Sequence, residues 1–163
     1  MAKKIFLETR SEPTLFTLFG ISCHLKDFRL SYLLNKKLEL EFVKMEDFRE
    51  YSFYFCRDDD RYNSYYLLGN RGQESILISD LKQTDYLMLV EGPVKKTQKD
   101  HLLLKIREIQ HILTAFEVRF ETVKNFDQIL TDLEIHLMYI LKEAKIKYSP
   151  LKKNHPRKGW FLY

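Results

Sequence analysis

Few residues in this chain of 163 have types and spacings that suit catalysis. Cys23 and His24 are neighbours and have the residue types of a nucleophile and its base, but adjacent side chains point apart on both helices and strands. Asp85 directly precedes an apolar run, where it is a candidate acid or base at the edge of a strand. A buried carboxylate also requires donors, so the favoured interpretation is that Asp85 fixes the entry of that strand. We therefore assign no catalytic residue.

The spacings that bind common cofactors and metal ions do not occur in the sequence. Neither GxGxxG nor GxxxxGK is present, so there is no phosphate-binding glycine loop, and the histidines lack HExxH spacing. Asp58, Asp59 and Asp60 could offer oxygen ligands to a hard cation, but they lack the alternate spacing and the glycine of a calcium loop. The sequence predicts no cofactor and no metal, and the three acids are interpreted as a solvated hairpin tip.

Positive charge is concentrated near the carboxyl end. Six of the 27 Lys and Arg residues lie in the last 19 positions, where there is no acid, which leaves 21 basic against 23 acidic side chains before them. Basic and aromatic residues together can bind RNA or an acidic partner by charge and stacking. The alternatives are a frayed, solubilising terminus and an aromatic end that folds back onto its own domain. The candidate contacts are Lys152, Lys153, Arg157, Lys158 and Trp160.

Composition favours one globular body without a membrane span. Hydrophobic residues make up 45% of the chain, with only 5 Gly and 4 Pro, which excludes collagen-like and disordered classes. The longest run without a charged side chain, Pro13 to Leu25, is 13 residues long, whereas a membrane helix needs about 20. Two unpatterned cysteines and a poor signal-peptide start predict reduced thiols and a cytoplasmic location.

Hydrophobic periodicity predicts an α+β fold with a mainly antiparallel sheet. The apolar run 86–90 is the most continuous and is placed at the centre of the sheet, and with helix 99–110 and strand 112–120 it forms a β-α-β unit. A single apolar stripe predicts a long carboxyl-terminal helix, and all helices are expected on one face. Further strands are predicted at 5–7, 14–21, 38–42, 51–56 and 65–68, with a helix at 25–38.

Three segments follow from this pattern. Residues 1–123 form an α+β core domain, residues 124–147 an amphipathic helix packed on that core, and residues 148–163 a basic and aromatic tail. Regular structure is expected to stop from Ser149 onward, because Pro150 follows. Tyr51 and Phe53 have the spacing of a nucleic-acid stacking strand, but together with Phe55 they are interpreted as a core face.

The segment Ile78–Tyr86 resembles the signature of the bacterial IPExxxVDY family. The family residues are present at Ile78, Asp85 and Tyr86. The segment departs at Ser79, Asp80 and Thr84, where the signature has Pro, Glu and Val. The stretch 20–30 is similar to the amino-terminal helix region of that family, and the likeness covers roughly residues 14–120. The resemblance implies a small cytoplasmic bacterial protein and supplies no activity, so the roles of the three matching residues stay open.

These observations favour a non-enzymatic binding or accessory module. Such a module would act through a surface around the β-α-β unit and the long helix. This hypothesis predicts an exposed apolar patch. One alternative is an RNA- or ribosome-associated protein that uses the basic tail. The other is an enzyme with a site near Asp85, Cys23 or His24, which requires a cleft where distant ionisable groups converge. We expect no such cleft. A protein partner fits the module, but neither its identity nor the oligomeric state follows from the sequence.

Overall fold

A six-stranded antiparallel sheet forms the middle layer of the molecule. The computed structural model describes residues 16–154, with side chains through residue 143. The strands are β1 (Phe16–Cys23), β2 (Val43–Phe48), β3 (Tyr51–Asp58), β4 (Asn63–Gly69), β5 (Tyr86–Glu91) and β6 (Ile112–Val118). The helices are α1 (Asp27–Leu38), α2 (Lys96–Arg107) and α3 (Phe126–Asn154). The α+β class, the antiparallel sheet and the long carboxyl-terminal helix are confirmed; the strand predicted at 5–7 lies outside the described residues.

The order of the strands is β2-β3-β4-β5-β1-β6, which places β5 in the interior as predicted. Both β5 and β6 pair antiparallel with β1, so they run parallel to each other on either side of it. Helix α2 connects them, and the predicted β-α-β unit is therefore present with β1 inserted between its two strands. Strands β3 and β4 form the predicted hairpin, with the three acids 58–60 at its connection.

Helices cover both faces of the sheet, so the prediction that all of them pack on one face is wrong. Successive strand side chains point to opposite faces, and in the central strands both sets are apolar. Leu87 and Leu89 of β5 join a core layer covered by α3, whereas Met88 and Val90 join the opposite layer beneath α1 and α2. Two apolar faces require two covers. Helix α3 contributes Phe126, Ile129, Leu133 and Leu137; helices α1 and α2 contribute Leu30, Leu34, Leu103 and Ile106.

The prediction of a strand at 38–42 is also wrong, although the apolar residues of that segment are buried. Glu39 adopts a left-handed conformation (φ 57°) and ends α1. Leu40 and Phe42 then enter the layer beneath α1 within an irregular connection. The Asn35 side chain accepts the Phe42 amide at 2.7 Å and donates to its carbonyl at 3.3 Å, so an amide side chain replaces the strand ladder.

Helix α3 packs across the β2–β3 end of the sheet. Arg49 forms a salt bridge with Asp132 at 2.6 Å, and the His136 ring lies 2.9 Å from the Glu46 carbonyl oxygen. Beneath this helix the core face of β3 is buried, with Tyr51, Phe53 and Phe55 all within the apolar layer, which confirms their assignment to the core. The helix continues to Asn154, past its predicted end at residue 147, so Ser149 and Pro150 do not stop it.

Candidate functional site

Asp85 joins the end of β1 to the segment that follows β4. Its backbone amide donates to the Ile21 carbonyl at 3.0 Å, and its Oδ2 accepts the Cys23 amide at 2.9 Å. Its Oδ1 accepts Arg71 Nε at 2.8 Å, and the same guanidinium donates to the Lys82 carbonyl. The carboxylate is therefore held by a backbone amide and an arginine where β5 begins. This confirms the anchoring interpretation of Asp85.

Asn70 organises the loop that contains the rest of the signature, and nothing in the sequence analysis identified it. It is completely buried at the end of β4. Its Nδ2 donates to the carbonyls of Leu81 and Thr84, both at 2.9 Å, while its Oδ1 accepts the Ile78 amide at 2.8 Å. Its backbone amide donates to the Asp85 carbonyl at 2.9 Å. The available signal was an asparagine two positions after the apolar run 65–68, because a buried amide needs partners.

Ile78 and Tyr86, the other two signature residues, belong to the same junction. Ile78 is buried in the layer beneath α3, and its amide is the one held by Asn70. The Tyr86 hydroxyl donates to the Leu25 carbonyl at 2.6 Å in the β1–α1 connection, and burial raises its pKa above the ordinary value. The structure thus brings Ile78, Asp85 and Tyr86 together around Asn70, as supports of one corner of the fold.

A polar cleft of about 540 Å³ opens beside this junction. Its lining combines the β1–α1 turn, the ends of the β3–β4 hairpin strands and the segment after β4. Small residues leave the space open: a Cβ added at Gly69 would lie 2.9 Å from Ser52 Oγ. The ionisable residues that line it are Cys23, His24, Asp27, Asp47, Glu50, Arg71, Asp85 and Tyr86. The prediction that no such groups converge is wrong, because strand pairing unites segments that are far apart in sequence.

The carboxylates of the cleft already have partners. Asp27 accepts the Tyr54 hydroxyl at 3.0 Å, Asp47 pairs with Lys44, and Glu50 accepts the Ser75 hydroxyl. Four carboxylates share the cleft lining with a single arginine, so the cleft is negatively charged. These contacts hold the acids in position along the wall of the cleft.

Cys23 and His24 do not form a catalytic pair in this structure. The Cys23 side chain is buried in the layer beneath α1 and α2, whereas His24 is exposed. Burial raises the pKa of the Cys23 thiol, which disfavours the nucleophilic thiolate. Their side chains point apart, as adjacent positions predict. His24 is therefore a surface residue at the rim of the cleft.

An apolar groove of about 450 Å³ adjoins the cleft across the β1–α1 turn. Both depressions include His24 and Leu25 in their linings, so this turn is the ridge between them. Phe28 on α1 is 62% exposed and Leu113 on β6 is 60% exposed, so two large apolar side chains of this groove face solvent. The groove is completed by Lys26, Arg29 and His111. We refer to the polar cleft and the apolar groove together as the junction surface.

A second exposed apolar patch lies on α3. Ile135, Met138 and Tyr139 have the i, i+3, i+4 spacing of one helix face and are mainly exposed. It satisfies the expectation of an apolar patch on the long helix, but no depression adjoins it among those described. The side chains of Lys152, Lys153, Arg157, Lys158 and Trp160, predicted as contacts, lie outside the described residues.

Among residues 16–143, no group of three or more His, Cys, Asp or Glu side chains could hold a metal ion. Within the described part of the chain, no helix combines the length and apolar character that crossing a bilayer requires. No protein-family model matches the chain, and no curated protein matches it either.

Proposed function

We propose that this protein is a non-enzymatic binding module and that the junction surface is where it binds its ligand. The observation that carries the proposal is the shared ridge: His24 and Leu25 line both the polar cleft and the apolar groove. A ligand that lies across the ridge contacts both depressions at once. Concave surfaces of this size, apolar with a few placed polar groups, are the usual form of binding sites.

The two sides of the ridge differ in charge, which gives a bound segment a direction. The cleft has carboxylates from Asp47 and Glu50 on one wall, whereas the groove has Lys26 and Arg29 and no acid among its described lining residues. Complementary charge aligns a partner and suppresses the reversed orientation. The rigid supports at Asp85 keep this arrangement in place before the ligand arrives, which lowers the entropy cost of binding.

Membership in the IPExxxVDY family and a cytoplasmic location are part of the same proposal. The three signature residues Ile78, Asp85 and Tyr86 share one structural task, which supports treating the signature as a unit of the fold. Cys23 and Cys56 are both free and buried, a state that suits a reducing compartment.

The proposal is tested by selecting ligands and mapping them to the ridge. A random peptide display library is selected on the full-length protein, and individual binders are synthesised and measured against two variants. His24→Glu alters an exposed side chain on the ridge, and His101→Glu makes the same change at an exposed position on α2. Neither side chain supports the core, so both variants are expected to fold.

We expect selected ligands to lose at least tenfold in affinity for the His24→Glu variant and to retain affinity for the His101→Glu variant. Ligands that bind both variants equally, but lose affinity when Met138→Asp alters the exposed face of α3, would place the binding site elsewhere and contradict the proposal. Detection of catalytic turnover that depends on Asp85 would contradict its non-enzymatic character.

A further inference from the structure

The geometry points to a specific occupant for the apolar groove: a segment of a partner protein in which a large apolar side chain is flanked by acidic residues. This inference rests on the proposed function and assigns partner chemistry to one half of the junction surface. Phe28, Leu25 and Leu113 would contact the apolar side chain, while Lys26 and Arg29 would pair with the flanking carboxylates.

The charges of the groove are uncompensated. Neither Lys26 nor Arg29 forms a salt bridge among the described residues, although seven other pairs do so there. Because no Asp or Glu belongs to the described lining, Lys26 and Arg29 attract an anionic segment that lies beside the apolar floor.

The apolar floor specifies a side chain larger than a methyl group. Leu113 belongs to β6 and Phe28 to α1, and the pairing of Cys23 with Ile112 brings the two elements together at the ridge. Burying a Leu or Phe side chain removes much more apolar surface from water than burying Ser, so the groove distinguishes the two. The anchor and the flanking acids together define the partner segment.

The basic stretch 145–163 does not have this chemistry. It contains six Lys and Arg and no acid, so Lys26 and Arg29 repel it. An acidic partner segment is complementary to the same two charges.

Single-stranded RNA is also anionic, but the groove is less suited to it. Base recognition by stacking uses successive aromatic rings, whereas the apolar floor of this groove combines Phe28 with the aliphatic side chains of Leu25 and Leu113. Aliphatic walls suit a Leu or Phe side chain. RNA is thus the competing outcome of the test.

The test uses a fluorescein-labelled peptide of 12 residues, with a central Leu-Phe pair flanked by Asp and Glu, and the full-length protein. One comparison peptide replaces the flanking acids with Lys, and another replaces the Leu-Phe pair with Ser. A labelled single-stranded oligoribonucleotide of the same length is the fourth probe. Fluorescence anisotropy gives the affinities at low and high salt.

Matched variants locate the binding. Lys26→Glu combined with Arg29→Glu reverses two groove charges, and Arg119→Glu combined with Lys142→Glu makes the same change in net charge at exposed positions elsewhere. Leu113→Ser removes one of the three apolar side chains of the floor. Its control is Leu104→Ser on α2, where the leucine is 55% exposed and outside the groove.

We expect the acidic, apolar peptide to bind at least tenfold more tightly than either comparison peptide, with affinity that falls as salt rises. The groove charge reversal and Leu113→Ser should each weaken it at least tenfold, and the two controls less than twofold. Equal binding by the Lys or Ser peptide, tighter binding of the oligoribonucleotide, or failure of the peptide to bind at all would overturn the inference. Library-selected ligands that still depend on His24 would leave the proposed function standing in each of those cases.

Discussion

Replacing Asn70 by alanine tests whether one buried amide organises the junction that supports the proposed site. The variant Asn70→Ala removes the partners of the Ile78 amide and of the Leu81 and Thr84 carbonyls. Two of these three bonds are fully buried, so water cannot replace the lost partner without the loop opening.

The expected loss of stability follows from these three groups. A buried polar group without a partner costs about 1–3 kcal/mol, and part of the Leu81 contact is open to solvent. We therefore expect Asn70→Ala to lower the free energy of unfolding by about 3–5 kcal/mol. Domains of this kind are stable by only about 5–15 kcal/mol, so the variant approaches the limit of folding.

Urea denaturation followed by circular dichroism measures the change, with hydrogen exchange of the Ile78 amide as a local readout. The matched control is Asn63→Ala, another buried asparagine, whose Nδ2 makes only long contacts of 3.3 Å and 3.4 Å to the carbonyls of Glu91 and Pro93. Longer bonds are weaker, and this control should lose about 1–2 kcal/mol. A smaller loss for Asn70→Ala than for Asn63→Ala would refute the organising role of Asn70.

Other consequences of the structure can be measured independently. Burial and the hydrogen bond to a neighbouring carboxylate raise the pKa of Tyr54 to about 12 from 10.0, so the stability that its neutral hydroxyl contributes is complete below pH 10 and is lost as pH rises through about 12. In urea titrations, Tyr54→Phe should reduce the loss of unfolding free energy at alkaline pH by about 2–3 kcal/mol, and an unchanged loss would contradict the assignment. Burial raises the pKa of Cys56 to about 11 from 9.0, so iodoacetamide should label this thiol about a hundredfold more slowly in the native than in the unfolded protein. Burial also raises the pKa of Cys23, so this thiol should react more slowly in the native protein too, and rapid native labelling of either thiol would count against its burial. Gly92 has φ 118°, and an added Cβ would lie 2.7 Å from the Tyr62 carbonyl oxygen. Gly92→Ala should therefore lower the free energy of unfolding by about 2–4 kcal/mol in thermal or urea denaturation, and an unchanged stability would be incompatible with that backbone conformation.

Local sequence patterns predicted the strands and helices whose own apolar residues mark how they are buried. The apolar run of β5 identified an interior strand, and the stripe of α3 identified a long packed helix. Asp85 was predicted as an anchor because a carboxylate at the start of a buried strand must be paired. The prediction of a strand failed at residues 38–42. The alternating apolar side chains there are buried, but in an irregular connection that the Asn35 side chain holds.

Features that depend on distant partners could not be read from local patterns. Asn70 acts on a loop up to 14 residues away, and local sequence does not show which backbone groups of that loop its side chain meets. The groove combines Phe28 with Leu113, which the β1–β6 register brings to the same end of the sheet. The prediction that all helices pack on one face of the sheet failed because an amphipathic helix shows in its sequence that it packs on a sheet, but not on which of the two faces.

The most direct test of the account is a two-dimensional amide spectrum of the isotope-labelled protein, recorded while a library-selected ligand is added. We predict shifts at His24 and Leu25, with further shifts at Phe28, Arg71 and Leu113 on the two sides of the ridge. Shifts confined to the exposed face of α3, with unchanged amide signals at His24 and Leu25, would contradict the claim that this molecule binds through the junction surface.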